Sequence, residues 1–239
     1  VGSTITQVTL VLGLLPILAR RSFTVGRDRV LFPALIIAGQ LAVIALLLHD
    51  GQFARTDGAI LLCLWVGGSL FLWRKAPSLS EPAISVPSRR KSYHAAAALG
   101  ALVIVGIGAT LAVVGFIELA EAFGVPEFII AFFGQAVGTS LPELMVALTA
   151  IRRGERDLAI GDVFGASLLD SSLSIGIGPL IAPHAITADL AVASGLAGAA
   201  TLLIIAALMS RFERHTPWTG LVLLALYAAF FPLLLTIQG

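Results

Sequence analysis

The sequence predicts an all-α polytopic membrane protein of about eight transmembrane helices, built on an inverted internal repeat. Three observations predict it. Of 239 residues, 58% are hydrophobic and 12% charged, where a soluble domain carries about 25% charged residues. Eight apolar stretches approach the roughly 20 residues that cross a bilayer. The first of them returns, recognisably, later in the chain. Backbone groups in lipid must be satisfied within the segment, so runs of this length read as helices. Barrel strands would be about half as long and would alternate polar with apolar.

The stretches are 1–19, 30–48, 58–73, 95–120, 126–151, 158–182, 190–210 and 217–238. The third is short. Basic residues set their direction. Arg20, Arg21, Arg27 and Arg29 fall in the first loop, and Arg74, Lys75, Arg89, Arg90 and Lys91 in the third. Arg152, Arg153 and Arg156 fall in the fifth, Arg211 and Arg214 in the seventh. Only Arg55 lies in an even loop. The positive-inside rule puts the odd loops in the cytoplasm. The longest, "RKAPSLSEPAISVPSRRKSYH", reads as a linker, and its basic cluster could meet anionic lipid. The chain then divides into 1–75, three helices of a first half; 76–94, the cytoplasmic linker; and 95–239, a second half of five helices. The net charge of +1 gives no sign of nucleic-acid binding, and none is expected. The single Cys63 excludes a disulfide framework. All four His fall at helix ends and draw no attention.

"VGSTITQVTLVLGLLPILA", Val1–Ala19, aligns without a gap with "FGASLLDSSLSIGIGPLIA", Phe164–Ala182. Gly2 matches Gly165, Gly13 matches Gly176 and Pro16 matches Pro179. By the loop charges the copies run in opposite directions, the organisation of many secondary transporters, whose ion sites lie at the midplane on interrupted helices. In the second half the repeated helix follows one bearing "GTSLPE". In the first half the chain starts at the repeated helix, from Val1. At least one preceding helix, or two, is therefore expected to be missing from this sequence.

The chemistry concentrates in the fifth and sixth stretches. Pro142 removes a backbone donor and clashes with the carbonyl one turn earlier, freeing carbonyls around Ala136–Thr139. Glu143 follows at once, with Thr139 and Ser140 about a turn away. Carboxylate, hydroxyl and carbonyl oxygens suit hard cations such as Ca²⁺ or Na⁺. The sixth stretch adds Asp170, with Ser167, Ser171, Ser172 and Ser174 nearby. An intramembrane carboxylate is a functional candidate by default, and no intramembrane Lys or Arg is present to pair with Glu143 or Asp170. Asp162 reads as a solvated helix-end residue, and Glu118, Glu121 and Glu127 as an outer rim.

These motifs resemble the calcium/cation antiporter superfamily, which includes the sodium/calcium exchangers. "GTSLPEL", Gly138–Leu144, resembles the first part of its alpha-repeat motif, and "RRGERDLAIGDVFGASLLD", Arg152–Asp170, the second. "VGSTITQ", Val1–Gln7, resembles that second part in the other repeat. The resemblance implies ten helices in two inverted halves, of which this chain would hold the last eight. It implies Glu143 as a Ca²⁺ ligand, Thr139 as a carbonyl ligand, and Ala136 (by its carbonyl) and Ser140 as ligands of the counter-transported cation. Asp170, Ser3 and Gln7 would complete the metal site. Ala166 and Asp162 depart from the usual Ser and Asn, and Gln7 is longer than Asn. These departures weaken the case for Na⁺ as coupling ion.

The resulting expectation is a secondary antiporter, not an enzyme and without a cofactor. It would exchange Ca²⁺ or a similar divalent cation for Na⁺, H⁺ or K⁺ by alternating access, in the bilayer of the cell (inner) membrane. A non-transporting relative acting as a scaffold, or a cation channel, are the alternatives.

Overall fold

The computed structural model describes residues 1–75, 88–124, 134, 136–212 and 214–238. Its helices are α1 (Gly2–Leu18), α2 (Arg27–Leu47), α3 (Arg55–Lys75), α4 (Ser88–Ala122) and α5 (Ala136–Arg153). They continue with α6 (Arg156–Asp170), α7 (Leu173–Ile181), α8 (Ala188–Arg211) and α9 (Pro217–Gln238). Four two-residue strands lie between them: β1 (Phe23–Thr24), β2 (Gln52–Phe53), β3 (His184–Ala185) and β4 (Arg214–His215). Among the described residues, four helical spans are long and apolar enough to cross a membrane by length and composition: α2 with its 3₁₀ end, α3, α6 with α7, and α8. Most of the predicted linker, and the start of the fifth stretch with Pro126 and Glu127, lie outside the described residues.

The repeat extends well past nineteen residues. Close to the same offset, α2 corresponds to α8 and α3 to α9. The short strands make the inversion visible. β1 pairs antiparallel with β4, and β2 with β3. The first and seventh loops therefore meet at one end, and the second and sixth at the other. The fifth loop joins the first: Arg21 Nη2 donates to the Arg152 carbonyl at 2.7 Å, Arg156 donates to Thr24 Oγ1, and Arg29 pairs with Asp157 at 3.0 Å. Among the described residues the first, fifth and seventh loops gather at one end, the end that carries their arginines. From the β2/β3 end α1 runs towards the basic end, and α6 with α7 runs back.

The core lies where α2 packs against α8, with Ile37, Leu41 and Ile44 on one side and Leu202 and Ile205 on the other, all buried. Two further contacts are bare backbone crossings. A Cβ on Gly58 of α3 would stand 2.5 Å from the Gly176 carbonyl oxygen of α7. A Cβ on Gly220 of α9 would collide with the Gly13 carbonyl oxygen of α1. These are the same crossing in the two halves. By contrast, α4 exposes Leu99, Ile104 and Leu111.

Two predicted helices are interrupted, at equivalent places. The stretch 158–182, expected as one span, breaks at Ser171–Ser172 between α6 and α7. In α1 the backbone widens to a π-helix over Gln7–Val11, a feature common at functional sites. Hydroxyls take up carbonyls at both places. Thr9 Oγ1 donates to the Ile5 carbonyl and Ser172 Oγ to the Leu168 carbonyl, each at 2.5 Å. Pro16 and Pro179 each lie inside the helix that follows.

His215 closes one of these proline gaps. Pro16 has no N–H for the Leu12 carbonyl, and His215 Nε2 lies 2.8 Å from that oxygen. Its Nδ1 is 2.7 Å from Thr219 Oγ1, and Phe23 meets the ring edge-on at 5.2 Å. The side chain is 1% exposed. Burial pushes the imidazole below its ordinary value, opposed by the bond to Leu12. The folded protein thus resists protonation of His215 more than the unfolded chain, which takes up a proton near its ordinary value of about 6.5. Stability from this residue is complete above about pH 6.5 and is lost as pH falls below it, with a slope of at most about 1.4 kcal/mol per pH unit. Melting temperatures measured between about pH 8 and about pH 5 are expected to show this decline in the wild type. His215→Gln should lack that component.

Candidate functional site

The interruptions bring the repeat's equivalent residues together. Gln7 and Asp170, 163 positions apart, are in direct contact: Gln7 Nε2 donates to Asp170 Oδ2 at 3.1 Å. Ser3 Oγ donates to the same oxygen at 2.5 Å, and Ser174 Oγ reaches Asp170 Oδ1 at 3.3 Å. Ser167 Oγ donates to Gln7 Oε1 at 2.8 Å. That bond fixes the amide, so its nitrogen faces the carboxylate. Ser3, Gln7 and Asp170, proposed from two separated motifs, thus form one hydrogen-bonded cluster across the inverted repeat.

α5 supplies the other half. It carries Pro142 in its interior, and its described part starts at Ala136. Thr139 Oγ1 donates to the Ala136 carbonyl at 3.3 Å. Ser140 is 1% exposed, and among the described residues its Oγ has no hydrogen-bond partner. The same holds for Glu143 Oε2. Asp170 lies close enough for its charge to bear on Glu143, and so does Asp162. A buried carboxylate oxygen and a buried hydroxyl left without partners are costly. The arrangement fits a cation as the missing partner. Among the described residues the one ion pair is Arg29–Asp157, at the basic end, so no arginine or lysine neutralises Glu143 or Asp170 there.

Among the described residues no three His, Cys, Asp or Glu side chains converge on a common point. A bound ion would therefore draw on hydroxyls, the Gln7 amide and backbone carbonyls as well as on carboxylates, an all-oxygen set. Ala166, the repeat partner of Ser3, contributes none.

Three polar residues near the cluster escaped the sequence reading. Asp162, read as a solvated helix end, is only partly exposed, with Oδ2 buried and unpartnered. Its place seven residues into α6, between the basic end and Glu143, was the available signal. Thr4, the repeat partner of Ser167, is fully buried with an unpartnered hydroxyl. Gln40 of α2 accepts from Ser171 at 2.6 Å and donates to the Leu64 carbonyl at 3.3 Å, tying the α6–α7 break to α2 and α3. A lone glutamine in the apolar stretch 30–48 was its only trace.

Residues 93–236 match the family described as sodium/calcium exchanger protein. The chain is 32% identical to the putative antiporter CaxA of Alkalimonas amylolytica, over 96% of this chain and 75% of that protein. It superposes on the solved sodium-calcium exchanger NCX_Mj with a TM-score of 0.70 and 25% identity, covering 97% of this chain and 74% of the other. It superposes on the H⁺/Ca²⁺ exchanger CAX with a TM-score of 0.73 over 99% of this chain and 66% of the other, at 16% identity, a likeness of fold alone. With its inverted pair of interrupted helices and its match over most of its length, this multi-pass membrane protein belongs to the sodium/calcium exchanger family.

Proposed function

We propose that the protein is a secondary antiporter of the cell (inner) membrane, exchanging Ca²⁺ or a similar divalent cation for Na⁺, H⁺ or K⁺. The cation sits among Glu143, Ser140 and Asp170, with Ser3, Gln7, Thr139 and the Ala136 carbonyl at hand. The observation that carries this reading is the pair of unpartnered buried oxygens, Glu143 Oε2 and Ser140 Oγ, within the field of Asp170. The names of the relatives agree with it. The two cations compete for the same carboxylates, so each can leave only when the other arrives. Rocking of the two inverted halves, 1–75 and 95–239, would open the site to alternate sides. No covalent step is needed, so the protein acts as a carrier and not as an enzyme. Odd loops face the cytoplasm in this reading.

The counter-ion is open to a direct test. Radiolabelled Ca²⁺ uptake is measured into proteoliposomes holding the full-length protein, first with an outward Na⁺ gradient and then with an outward H⁺ gradient. Saturable uptake that requires one of these gradients is expected. Flux that does not saturate and ignores both gradients would instead indicate a channel, and no flux from folded protein would indicate a scaffold.

A further inference from the structure

Gln40 is a buried amide in the middle of an apolar helix, and both of its ends are engaged. The residue is 3% exposed on α2. Its Oε1 accepts from Ser171 Oγ at 2.6 Å, and its Nε2 donates to the Leu64 carbonyl of α3 at 3.3 Å. Ile37, Leu41 and Ile44, buried on the same helix, anchor α2 in the core.

Neither partner needs Gln40. α3 is continuous from Arg55 to Lys75, so the Leu64 carbonyl already accepts from the N–H four residues on. Ser171 Oγ also lies 3.2 Å from the Leu168 carbonyl, which can take its proton instead. An apolar side chain of similar shape at position 40 would therefore leave no buried group without a partner, and it would remove the cost of burying an amide. The glutamine adds little to stability. What it adds is position. Ser171 directly follows Asp170, the last residue of α6, and Ser172 leaves helical geometry at φ −144° and ψ −70°. Where helical bonding stops fixing the chain, the bond to Gln40 ties it to α2 and, through Leu64, to α3.

The first repeat is built differently. The repeat partner of Ser171 is Val8, which has no hydroxyl. The corresponding part of α8, residues 202–205, reads "LLII", and Thr201 donates to the Ala197 carbonyl of its own helix. Among the described residues, the half that holds the Asp170 carboxylate has the tie, and the half that holds Gln7 does not.

We propose that Gln40 is a positioning residue for the cation site. Its bond to Ser171 holds the Asp170 carboxylate in register with Glu143, so that a divalent cation meets both. This rests on the reading of Asp170 and Glu143 as cation ligands.

The test is isothermal titration with Ca²⁺, with melting curves in cation-free buffer, on full-length wild type, Gln40→Met, Ser171→Ala and the double variant. Gln40→Met should weaken Ca²⁺ binding about three- to tenfold, the worth of one hydrogen bond, and melt like the wild type. Ser171→Ala should weaken binding equally but melt at a lower temperature, because it leaves Gln40 Oε1 buried without a partner. The double variant should bind no more weakly than either single variant and recover the melting temperature. Wild-type affinity in Gln40→Met would overturn the proposal, as would additive losses in the double variant. A lower melting temperature or failure to fold in Gln40→Met would also overturn it, by making the amide a structural residue. Wild-type protein that binds no Ca²⁺ would overturn the transport reading itself, and the proposal with it.

Discussion

Glu143→Gln is expected to abolish divalent-cation binding and exchange while leaving the protein folded and at least as heat-stable. The amide keeps the shape of the side chain but removes its charge. Removing one partner of a buried ionic pair costs about 3–5 kcal/mol, which weakens affinity by at least about a hundredfold. Stability should move the other way. Glu143 Oε2 has no partner among the described residues, and an uncompensated intramembrane charge is expensive. In cation-free buffer its removal should leave the melting temperature unchanged or raise it, the pattern of a residue kept for function at a cost in stability. Isothermal titration of Ca²⁺ and a melting curve without cations, on the same preparations, check both halves. A large fall in melting temperature would make Glu143 a structural residue instead.

The second large effect concerns the glycine crossings. Gly58→Val is expected to destabilise the protein severely, because its Cβ would lie 2.5 Å from the Gly176 carbonyl oxygen and 2.9 Å from Leu180 Cγ. A backbone atom cannot swing aside, so α3 and α7 must separate. Overpacking of this kind costs about 1–3 kcal/mol, sometimes more. Gly67, on the same helix, has nothing within 4 Å of an added Cβ. Gly67→Ala should therefore be neutral or gain up to about 1 kcal/mol of helix propensity. Melting temperatures of Gly58→Val, Gly58→Ala and Gly67→Ala check this. If the Gly58 and Gly67 variants behave alike, the close crossing is not where the packing stress lies.

One contact of the candidate site was legible in the sequence. The gap-free alignment of Val1–Ala19 with Phe164–Ala182 put Gln7 opposite Asp170, and these side chains do touch. That worked because an inverted repeat places equivalent residues on either side of a common axis, so sequence offset becomes spatial contact. The rest depended on partners remote in sequence. Nothing in "LLDSSLSI" says that the helix stops at Ser171, because the break is held by Gln40, 131 residues away. His215 looked like one more polar residue at a helix end. Its role comes from the carbonyl that Pro16 leaves free in a helix some two hundred residues earlier. Asp162 looked solvated because its distance from the helix end was legible, whereas the packing that buries Oδ2 was not.

In the proposed function Glu143 holds the exchanged cation at the junction of the two repeats. Its most direct test is radiolabelled Ca²⁺ uptake into proteoliposomes of full-length wild-type and Glu143→Gln protein, under the counter-cation gradient that drives the wild type. Saturable, gradient-dependent uptake by the wild type and background uptake by folded Glu143→Gln are expected. Wild-type uptake by Glu143→Gln would contradict it.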